Sequence, residues 1–348
     1  MARGKPVVGL DIGSSSVKLC QLKRSKKGWA LQAFGLVPLP QEAIVDGALM
    51  NAGAVADAIS ELVRSHNVKI KDAAIAISGH SVIIKKINLP SMSADELDEQ
   101  IRWEAEQYIP FDINDVHLDV QILRPAPSPQ AQMDVLLVAA KKDMINDYVQ
   151  VVADAGLTAT ICDVDAFAVE NAFEANYDLS PSETIVVVNI GATKSNINVL
   201  AKGSSAFTRD LSIGGNAYSE EIQKRLGVSY DEAEALKLEG ESSSAEMASV
   251  VAQVNDNLAA EIQRTLDFYA ATSADAQFAH IYLSGGSAKL STLAGTLGSR
   301  LGAPCEVMTP FRRIEIDSKK FDFDYIKSVG PQASVALGLA TRTVGDKP

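Results

Sequence analysis

The 348-residue sequence has few cysteines, no long apolar segment and fewer positive than negative charges. The three cysteines, Cys20, Cys162 and Cys305, are odd in number and far apart, each in an apolar stretch. We expect reduced core residues of a cytoplasmic protein, not disulfide or metal partners. No run approaches the roughly 18 to 20 apolar residues of a membrane span, and no apolar signal core precedes the first predicted strand. Any membrane association is therefore expected to come through a partner.

The charge balance argues against nucleic acid as a ligand. Lysine and arginine number 32 against 44 aspartates and glutamates, which gives a net charge of -12 and a pI near 4.9. A sequence-independent grip on a phosphate backbone needs a basic face, which this balance disfavours. The length fits about two domains, and a hydrophobic content of 47% is enough for a substantial core.

The stretch LDIGSSSVK, residues 10–18, joins two strand-like segments, Val7 to Asp11 and Val17 to Leu22. A Walker loop or a dinucleotide fingerprint would continue into a helix, but here a strand follows. We therefore predict a β-hairpin with residues 12–16 at its tip, where Gly13 takes a positive φ. An ordinary turn is the alternative to a ligand site.

This tip has the groups that a phosphate site needs. The backbone N–H groups and the hydroxyls of Ser14, Ser15 and Ser16 can converge on an anion. Asp11 would repel a bare phosphate but suits a phosphate-bound Mg²⁺, whose ligands usually include one or two carboxylates. Lys18 can reach back toward the phosphates.

A second stretch, VVVNIGATKSNINVLAKG at residues 186–203, repeats the same order of strand, Asx-Ile-Gly, small polar residues and strand. The two stretches lie 178 residues apart, about half the chain. We predict two like-folded halves, each presenting one hairpin tip toward a shared cleft. Two facing tips can clamp a polyphosphate.

Two diglycine turns follow in the second half, Gly214-Gly215 and Gly285-Gly286, the latter opening a helix at about Ser287. A diglycine lets a ligand approach the backbone, and the helix N-terminus behind it offers free N–H groups and a partial positive charge. A tight strand-to-helix connection is the alternative for each.

Taken in this order, these motifs resemble the actin-like ATPase superfamily, which includes actin, FtsA, sugar kinases and the large heat-shock chaperones. The resemblance implies an α/β, two-lobed ATPase fold with duplicated β-hairpin phosphate loops. Residues 1–182 would form the first lobe and residues 183–330 the second, which would contain a helical subdomain at 216–280. The helix at 331–345 would pack back onto the first lobe and, with a helix at 165–176, connect the two.

Residues 81–140 are predicted to be an inserted FtsA-like α/β subdomain in the first lobe. They read as strand VIIKKINLP, a helix capped by Ser93 and Glu96 that stops at Pro110, and strands VHLDVQIL and MDVLLVAA around the proline-rich loop RPAPSPQAQ. Together with the AEALK helix and the DIGSSSVK opening, this segment resembles the PilM family of type IV pilus assembly proteins. The resemblance covers the chain from Val7 to about Arg342.

Resemblance to that family implies ATP and Mg²⁺ between the lobes and a protein partner. The partner would be the N-terminal cytoplasmic tail of PilN, an inner-membrane protein, held in a groove between the inserted subdomain and the first lobe. From the residues, we expect VIIKKINLP and the helix ending in QYIPF to be its walls. FtsA carries a C-terminal amphipathic membrane helix, but this chain stops at TRTVGDKP. We expect a cytoplasmic protein that reaches the inner membrane only through its partner.

The resemblance also implies roles for individual residues. Asp11 would hold Mg²⁺ through water and Lys18 a phosphate oxygen, and the β- and γ-phosphates would lie on Gly13, Ser14, Ser15 and Ser16. The groups closing from the other side would be Gly191, Ala192, Thr193 and Lys194. The ribose and α-phosphate would be framed by Gly214, Gly215, Gly285, Gly286 and Ser287. Glu234 and Lys237 would reach the ribose or adenine, unless they form a solvated helix face.

Two positions bear on catalysis. Asp165 falls where relatives place a carboxylate that orients the attacking water, although it also suits a helix cap. Asn189 stands where the superfamily usually has an aspartate, so the second hairpin lacks a charge that would hold Mg²⁺ and activate a nucleophile. We expect slow hydrolysis and a nucleotide-stabilised adaptor. The alternatives are a filament-forming FtsA- or MreB-like cytoskeletal ATPase and a small-molecule kinase, and homo-oligomerisation stays open.

Overall fold

The structure is a computed structural model that describes residues 4–124, 132–239, 244–273, 277–290 and 292–346. Two β-sheets with related topology face a shared cleft, and a third, smaller sheet is inserted in the first half. The loop RPAPSPQAQ lies almost entirely outside the described residues.

The first sheet has six strands. In chain order they are β1 (Val8–Ile12), β2 (Ser16–Ser25), β3 (Gly28–Pro38), β6 (Asp72–Ile77), β10 (Thr158–Val164) and β16 (Ile314–Glu315). Across the sheet the order is β10-β6-β1-β2-β3-β16. The strands β1, β2 and β3 are antiparallel, whereas β6 and β10 continue the sheet in parallel. The first predicted hairpin is therefore confirmed.

The second sheet repeats this plan with five strands. They are β11 (Thr184–Ile190), β12 (Ser195–Ala201), β13 (Ser204–Leu211), β14 (Phe278–Ser284) and β15 (Cys305–Val307). The order is β13-β12-β11-β14-β15, again three antiparallel strands followed by parallel ones. The internal repeat seen in the sequence is thus a repeat of strand topology.

Helices cover both faces of the first sheet, which explains why most residues of its central strands are apolar and buried. One face packs against α1 (Ala52–Ser65) and α3 (Lys142–Asp154), and the other against α4 (Asp165–Asn176) and α10 (Ser334–Ala340). Helix α4 also contacts β11 and β12, so it joins the two sheets, as expected of a connecting helix.

The closing helix packs unusually close to its neighbours because its residues are small. A Cβ on Gly338 would lie 1.7 Å from the carbonyl oxygen of Ala168, and one on Gly9 would lie 2.1 Å from that of Ala336. The helix is shorter than the predicted 331–345. It begins as a 3₁₀ turn, Gly330–Ala333, at a proline that has no N–H to donate, and α10 ends at Ala340.

The second sheet carries its own helices. The long helix α7 (Ala245–Thr272) and α8 (Leu293–Leu301) pack on it, while α5 (Asn216–Leu226) and α6 (Tyr230–Glu239) form a small helical layer beside the cleft. Helix α7 buries one apolar side as core, formed by Val250, Val254, Leu258, Ile262 and Leu266. The short helix α9 (Phe323–Val329) precedes the closing 3₁₀ turn.

The inserted subdomain is a three-stranded sheet under one helix. Its elements are β7 (Val82–Pro90), α2 (Ala94–Ala105), β8 (Val116–Arg124) and β9 (Gln132–Lys141), with strand order β7-β9-β8. Ser93 and Glu96 form the predicted capping box. A two-stranded ribbon, β4 (Ile44–Val45) and β5 (Ala48–Leu49), precedes α1. None of the helices in the described ranges has the length and apolarity that a bilayer crossing requires.

Three local predictions were wrong. Gly13 does not take a positive φ: its N–H bonds the Ser16 carbonyl at 3.2 Å, and a Cβ at this position would lie 3.1 Å from the flexible end of Lys18. Cys162 is exposed, because β10 is an edge strand whose alternate residues leave the core. Gly286 opens a 3₁₀ turn, and the α-helix begins only at Leu293.

Candidate functional site

A cleft of about 920 Å³ lies between the two sheets, where both hairpin tips end. The tips face each other closely: Ser14 Oγ lies 3.1 Å from Thr193 Oγ1, although the two residues are far apart in sequence. All but two of the predicted site residues line this cleft. They are Asp11, Gly13, Ser14, Ser15, Lys18, Asp165, Asn189, Gly191, Ala192, Thr193, Lys194, Gly215, Glu234, Lys237, Gly285, Gly286 and Ser287.

The two predicted residues outside the lining have structural positions. Ser16 is buried at the start of β2, where its carbonyl closes the first turn. Gly214 lies behind the second tip, where a Cβ would come within 2.7 Å of the carbonyl oxygens of Gly191 and Ala192. Both residues shape the cleft without presenting a group to it.

The first hairpin carries a charged pair across its strands. Asp11 and Lys18 are directly opposite in the β1–β2 register, and their side chains form an ion pair at 3.2 Å. Both side chains are more than four-fifths buried, so the pair is poorly screened by solvent. The carboxylate suits a metal ion and the ammonium suits a phosphate, and the two lie within reach of one Mg²⁺-phosphate group.

The second hairpin carries a neutral pair at the matching place. Asn189 is opposite Asn196, and its Nδ2 donates to Oδ1 of Asn196 at 3.1 Å. Asn196 in turn donates to Asp210 at 2.7 Å. The amide of Asn189 is therefore oriented, but it contributes no charge to the cleft.

Asp165 lies on the cleft floor at the first residue of α4. Its carboxylate accepts a hydrogen bond from the Ser78 hydroxyl, and Lys194 Nζ donates to the carbonyl oxygen of Ser78 at 3.0 Å and to its Oγ at 2.9 Å. Burial raises the pKa of Asp165 to about 6 and Asp11 adds to the rise, whereas Lys194 and the Ser78 bond oppose it. The helix-cap alternative does not hold, since the cap residue is Val164 and makes no side-chain bond.

The diglycine turns pack against the second hairpin. Gly285 has φ +90°, and a Cβ there would lie 2.2 Å from the carbonyl oxygen of Ile190. Gly215 donates its N–H to Gly191 at 2.8 Å, and a Cβ on it would lie 2.2 Å from Ser287 Oγ. These glycines let three backbone segments meet at the cleft wall.

Glu234 and Lys237 form a bonded pair at the other end of the cleft. Lys237 Nζ donates to Ser219 Oγ at 3.0 Å and contacts the carbonyl oxygen of Gly215 at 3.4 Å, besides pairing with Glu234. The Lys237 side chain is only 12% exposed, which excludes the solvated-face alternative.

Several cleft residues escaped the sequence analysis. Asn196 lies within the second hairpin stretch but was given no role, and the other unassigned lining residues include Asn216, Tyr230, Leu238, Leu290, Gln332 and Val335. Ser78 was also missed, although a Ser-Gly pair directly after a buried parallel strand is a signal for a site at that sheet edge. The others carry no local pattern that separates them from ordinary helix and turn residues.

A second cavity of about 720 Å³ lies between the inserted subdomain and the first lobe; we call it the groove. Its walls come from residues 119–123 of β8, Leu136 and Val138 of β9, residues 160–164 of β10 and one face of α4. The turn at 203–205 of the second sheet and residues 341, 342 and 346 complete the lining. The predicted walls, β7 and the helix ending in QYIPF, contribute none of these residues. The reason is topological: β7 packs near β13 of the second sheet, so the open edge of the subdomain is β8.

Two related sheets around a cleft with facing hairpin tips define the actin-like fold. The family model of the type IV pilus assembly protein PilM matches residues 9–344, and the chain therefore belongs to that family.

Solved structures agree with this assignment. A PilM-PilN type IV pilus biogenesis complex is 29% identical, with a TM-score of 0.89 over 99% of this chain and 100% of that chain. The ethanolamine utilization protein EutJ from Carboxydothermus hydrogenoformans is 18% identical with a TM-score of 0.59 over 97% and 90%. MreB5 of Spiroplasma citri bound to ADP is 11% identical with a TM-score of 0.52 over 96% and 94%. The last two show a shared fold alone.

Proposed function

We propose that the chain is a nucleotide-binding adaptor of type IV pilus assembly. It binds Mg-ATP in the cleft and holds the N-terminal cytoplasmic tail of a PilN-like inner-membrane protein in the groove. The observation that carries the nucleotide half is the meeting of two hairpin tips at 3.1 Å across the cleft. A PilN-like partner is supported by the similarity to the PilM-PilN complex over the full chain.

The residues present fit ATP with its metal. Ser14, Ser15, Ala192 and Thr193 offer backbone N–H groups and hydroxyls to the β- and γ-phosphates from both tips. Among the described residues, no cluster of three or more His, Cys, Asp or Glu side chains could hold a metal by itself. A phosphate-bound Mg²⁺ that keeps its waters needs only one or two carboxylates, and Asp11 supplies one.

We expect binding without rapid turnover. Of the two equivalent hairpin positions, Asp11 offers a metal ion a carboxylate and Asn189 does not, because an amide is uncharged. Asp165 has a pKa near physiological pH and lies on the cleft floor, so it is the remaining acid-base group in reach. The hydrogen bond from the Ser78 hydroxyl restricts rotation of the Asp165 carboxylate, and Lys194 in turn bonds Ser78.

The groove offers an extended peptide two places to bind. Both β8 and β10 are edge strands of their sheets, and both border the groove. A peptide can add to such an edge through backbone hydrogen bonds while its side chains fill apolar pockets. Leu136 and Val138 supply half-buried apolar surface on the sheet face opposite α2.

Through this partner the chain would be held at the inner membrane while staying cytoplasmic. A filament-forming ATPase is the rival function. Sedimentation with Mg-ATP separates the two, because a filament pellets and an adaptor stays in the supernatant.

Calorimetric titration with a synthetic tail peptide of the PilN-like protein from the same organism tests the adaptor function. We expect saturable binding to the wild-type chain and a large loss of affinity in Leu136→Glu, which places a charge on the groove floor. Val149→Glu is the matched control, since Val149 is an exposed apolar residue of α3 away from the groove. Absence of binding by the wild type, or equal binding by Leu136→Glu, would contradict the proposal.

A further inference from the structure

One face of α4 points acidic side chains into the groove. Phe167, Glu170, Asn171 and Glu174 all line it, at the three- and four-residue spacing that places side chains on one side of a helix. Glu170 accepts a hydrogen bond from Asn198 Nδ2 at 3.2 Å, which fixes one of its oxygens. The two glutamates lie one helical turn apart and face the same space.

Among the described residues that line the groove, Arg342 is the one cation, and it is already paired. Arg342 lines the groove and pairs with Asp163, and its Nε also bonds Asp346 at 2.9 Å. Among the described side chains, neither Glu170 nor Glu174 forms an ion pair. The charges that reach Glu170 are those of Glu174 and Asp163, both negative.

This arrangement makes the ionised form of Glu170 unfavourable. Burial raises the pKa of Glu170 to about 7, and the charge of Glu174 adds to the rise, while hydrogen bonds from Asn198 and the Ser205 backbone oppose it. Glu174 is more exposed, and partial burial raises its pKa as well. A buried carboxylate is stabilised chiefly by a cation that comes with its own hydrogen bonds, and no described residue supplies one here.

We propose that the tail bound in the groove carries a lysine or arginine whose side chain pairs with Glu170 and Glu174. This inference rests on the proposed function and names the chemistry by which the groove selects its peptide. The charge balance of the lining supports it: Asp119, Glu170 and Glu174 lack a partner cation among the described side chains, and Arg342 is paired. A long basic side chain suits the site, because Glu170 and Glu174 lie on α4 beside β10 and not on a strand edge where the peptide backbone would bind.

The affinity for such a tail must depend on pH. A cation binds the ionised form of Glu170 better, so binding releases a proton and affinity rises as pH increases through about 7. The groups that face Glu170 across the groove are Asp119, Asp163, Glu174, Arg342 and Asp346, with the thiol of Cys162, whose raised pKa of about 12 keeps it neutral. From pH 6 to pH 8 we expect about a tenfold gain in affinity.

The test is a cycle of peptides against protein variants. Three kinds of synthetic tail peptide are titrated into the full chain. The first is unmodified, the second has each basic residue replaced in turn by glutamine, and the third has an acetylated N-terminus. The variants are Glu170→Gln and Glu174→Gln, with Glu99→Gln on the exposed face of α2 as the control. Glutamine keeps an acceptor for Asn198, and melting temperatures check the fold.

We expect one lysine or arginine replacement to weaken binding to the wild type and to the control by about tenfold or more, and to have little effect in Glu170→Gln. The pH dependence should also disappear in that variant. If every basic replacement binds like the unmodified peptide, or if only acetylation weakens binding, the inference is overturned while the adaptor function stands. If no peptide binds the wild type, the proposed function fails and the inference fails with it.

Discussion

The two hairpins of the cleft share a backbone and differ in charge. In the first, Asp11 faces Lys18 across the strands, and in the second Asn189 faces Asn196. Each member of one pair lies 178 residues from its counterpart, so the four positions are equivalent within the repeat. The duplicated backbone builds a clamp with two matching tips, but the carboxylate of the cross-strand pair is present on only one of them.

This difference separates holding a nucleotide from cleaving it. Backbone N–H groups and hydroxyls are present on both tips, and they suffice for positioning phosphates. Activation of a water needs a charge or an acid-base group on the correct side, and such groups typically contribute about 10² to 10⁴ in rate. The asymmetry therefore favours a stable ATP complex with slow hydrolysis.

The largest expected effect separates Gly285, which packs against the second hairpin, from Gly13 at the tip of the first. Gly285→Ala should lower the free energy of unfolding by about 3 to 5 kcal/mol, since it adds strain at a positive φ and a contact at 2.2 Å with the second hairpin. Gly13→Ala should cost less than about 1 kcal/mol, because the atom it meets is the mobile end of Lys18. Urea unfolding of both variants measures the difference, and equal losses would contradict the packing described for Gly285.

Adding a carboxylate to the second hairpin should raise the rate of ATP hydrolysis. Asn189→Asp is expected to increase ATP hydrolysis by at least about tenfold, since it adds a carboxylate on the metal side. Phosphate release by the purified variant and wild type measures it. Asn216→Asp, which adds the same charge elsewhere in the cleft lining, serves as the control. Rapid hydrolysis by the wild type would show that the amide at Asn189 does not limit turnover.

A smaller effect on stability comes from the ionisation of Asp165 on the cleft floor. The pKa of Asp165 is raised to about 6 in the folded chain from 3.8, so the folded state holds a proton that the unfolded state has lost. Stability from this group therefore falls as pH rises, by about 1 kcal/mol between pH 5 and pH 7. Asp165→Asn should remove that dependence.

Denaturant unfolding of wild type and Asp165→Asn at both pH values checks this prediction. The difference in stability between the two proteins should shift in favour of the variant as pH rises. A constant difference would mean that Asp165 titrates normally and that its burial beside Asp11 and Lys194 has no effect on its ionisation.

The sequence predicted those features of the fold that depend on residues close together in the chain. Both hairpins, the capping box at Ser93 and the helix at 165–176 depend on neighbouring residues, and the structure confirms them. The predicted walls of the partner site, β7 and the helix ending in QYIPF, do not line the groove, because which edge of the inserted sheet stays open depends on how β7 packs against β13. Ser78 joins the site for a similar reason: its partners, Asp165 and Lys194, meet it only through the fold.

The most direct test of the account is the melting temperature with millimolar ATP and Mg²⁺, measured for the wild type and for Lys18→Ala. The account predicts stabilisation of the wild type, by about 2.7 kcal/mol when the ligand is at 100 times its dissociation constant, and a much smaller shift in the variant. Lys27→Ala, in the exposed turn between β2 and β3, should keep the full shift. An unchanged wild-type melting temperature, or an equal shift after Lys18→Ala, would contradict the claim that the charged hairpin holds the nucleotide.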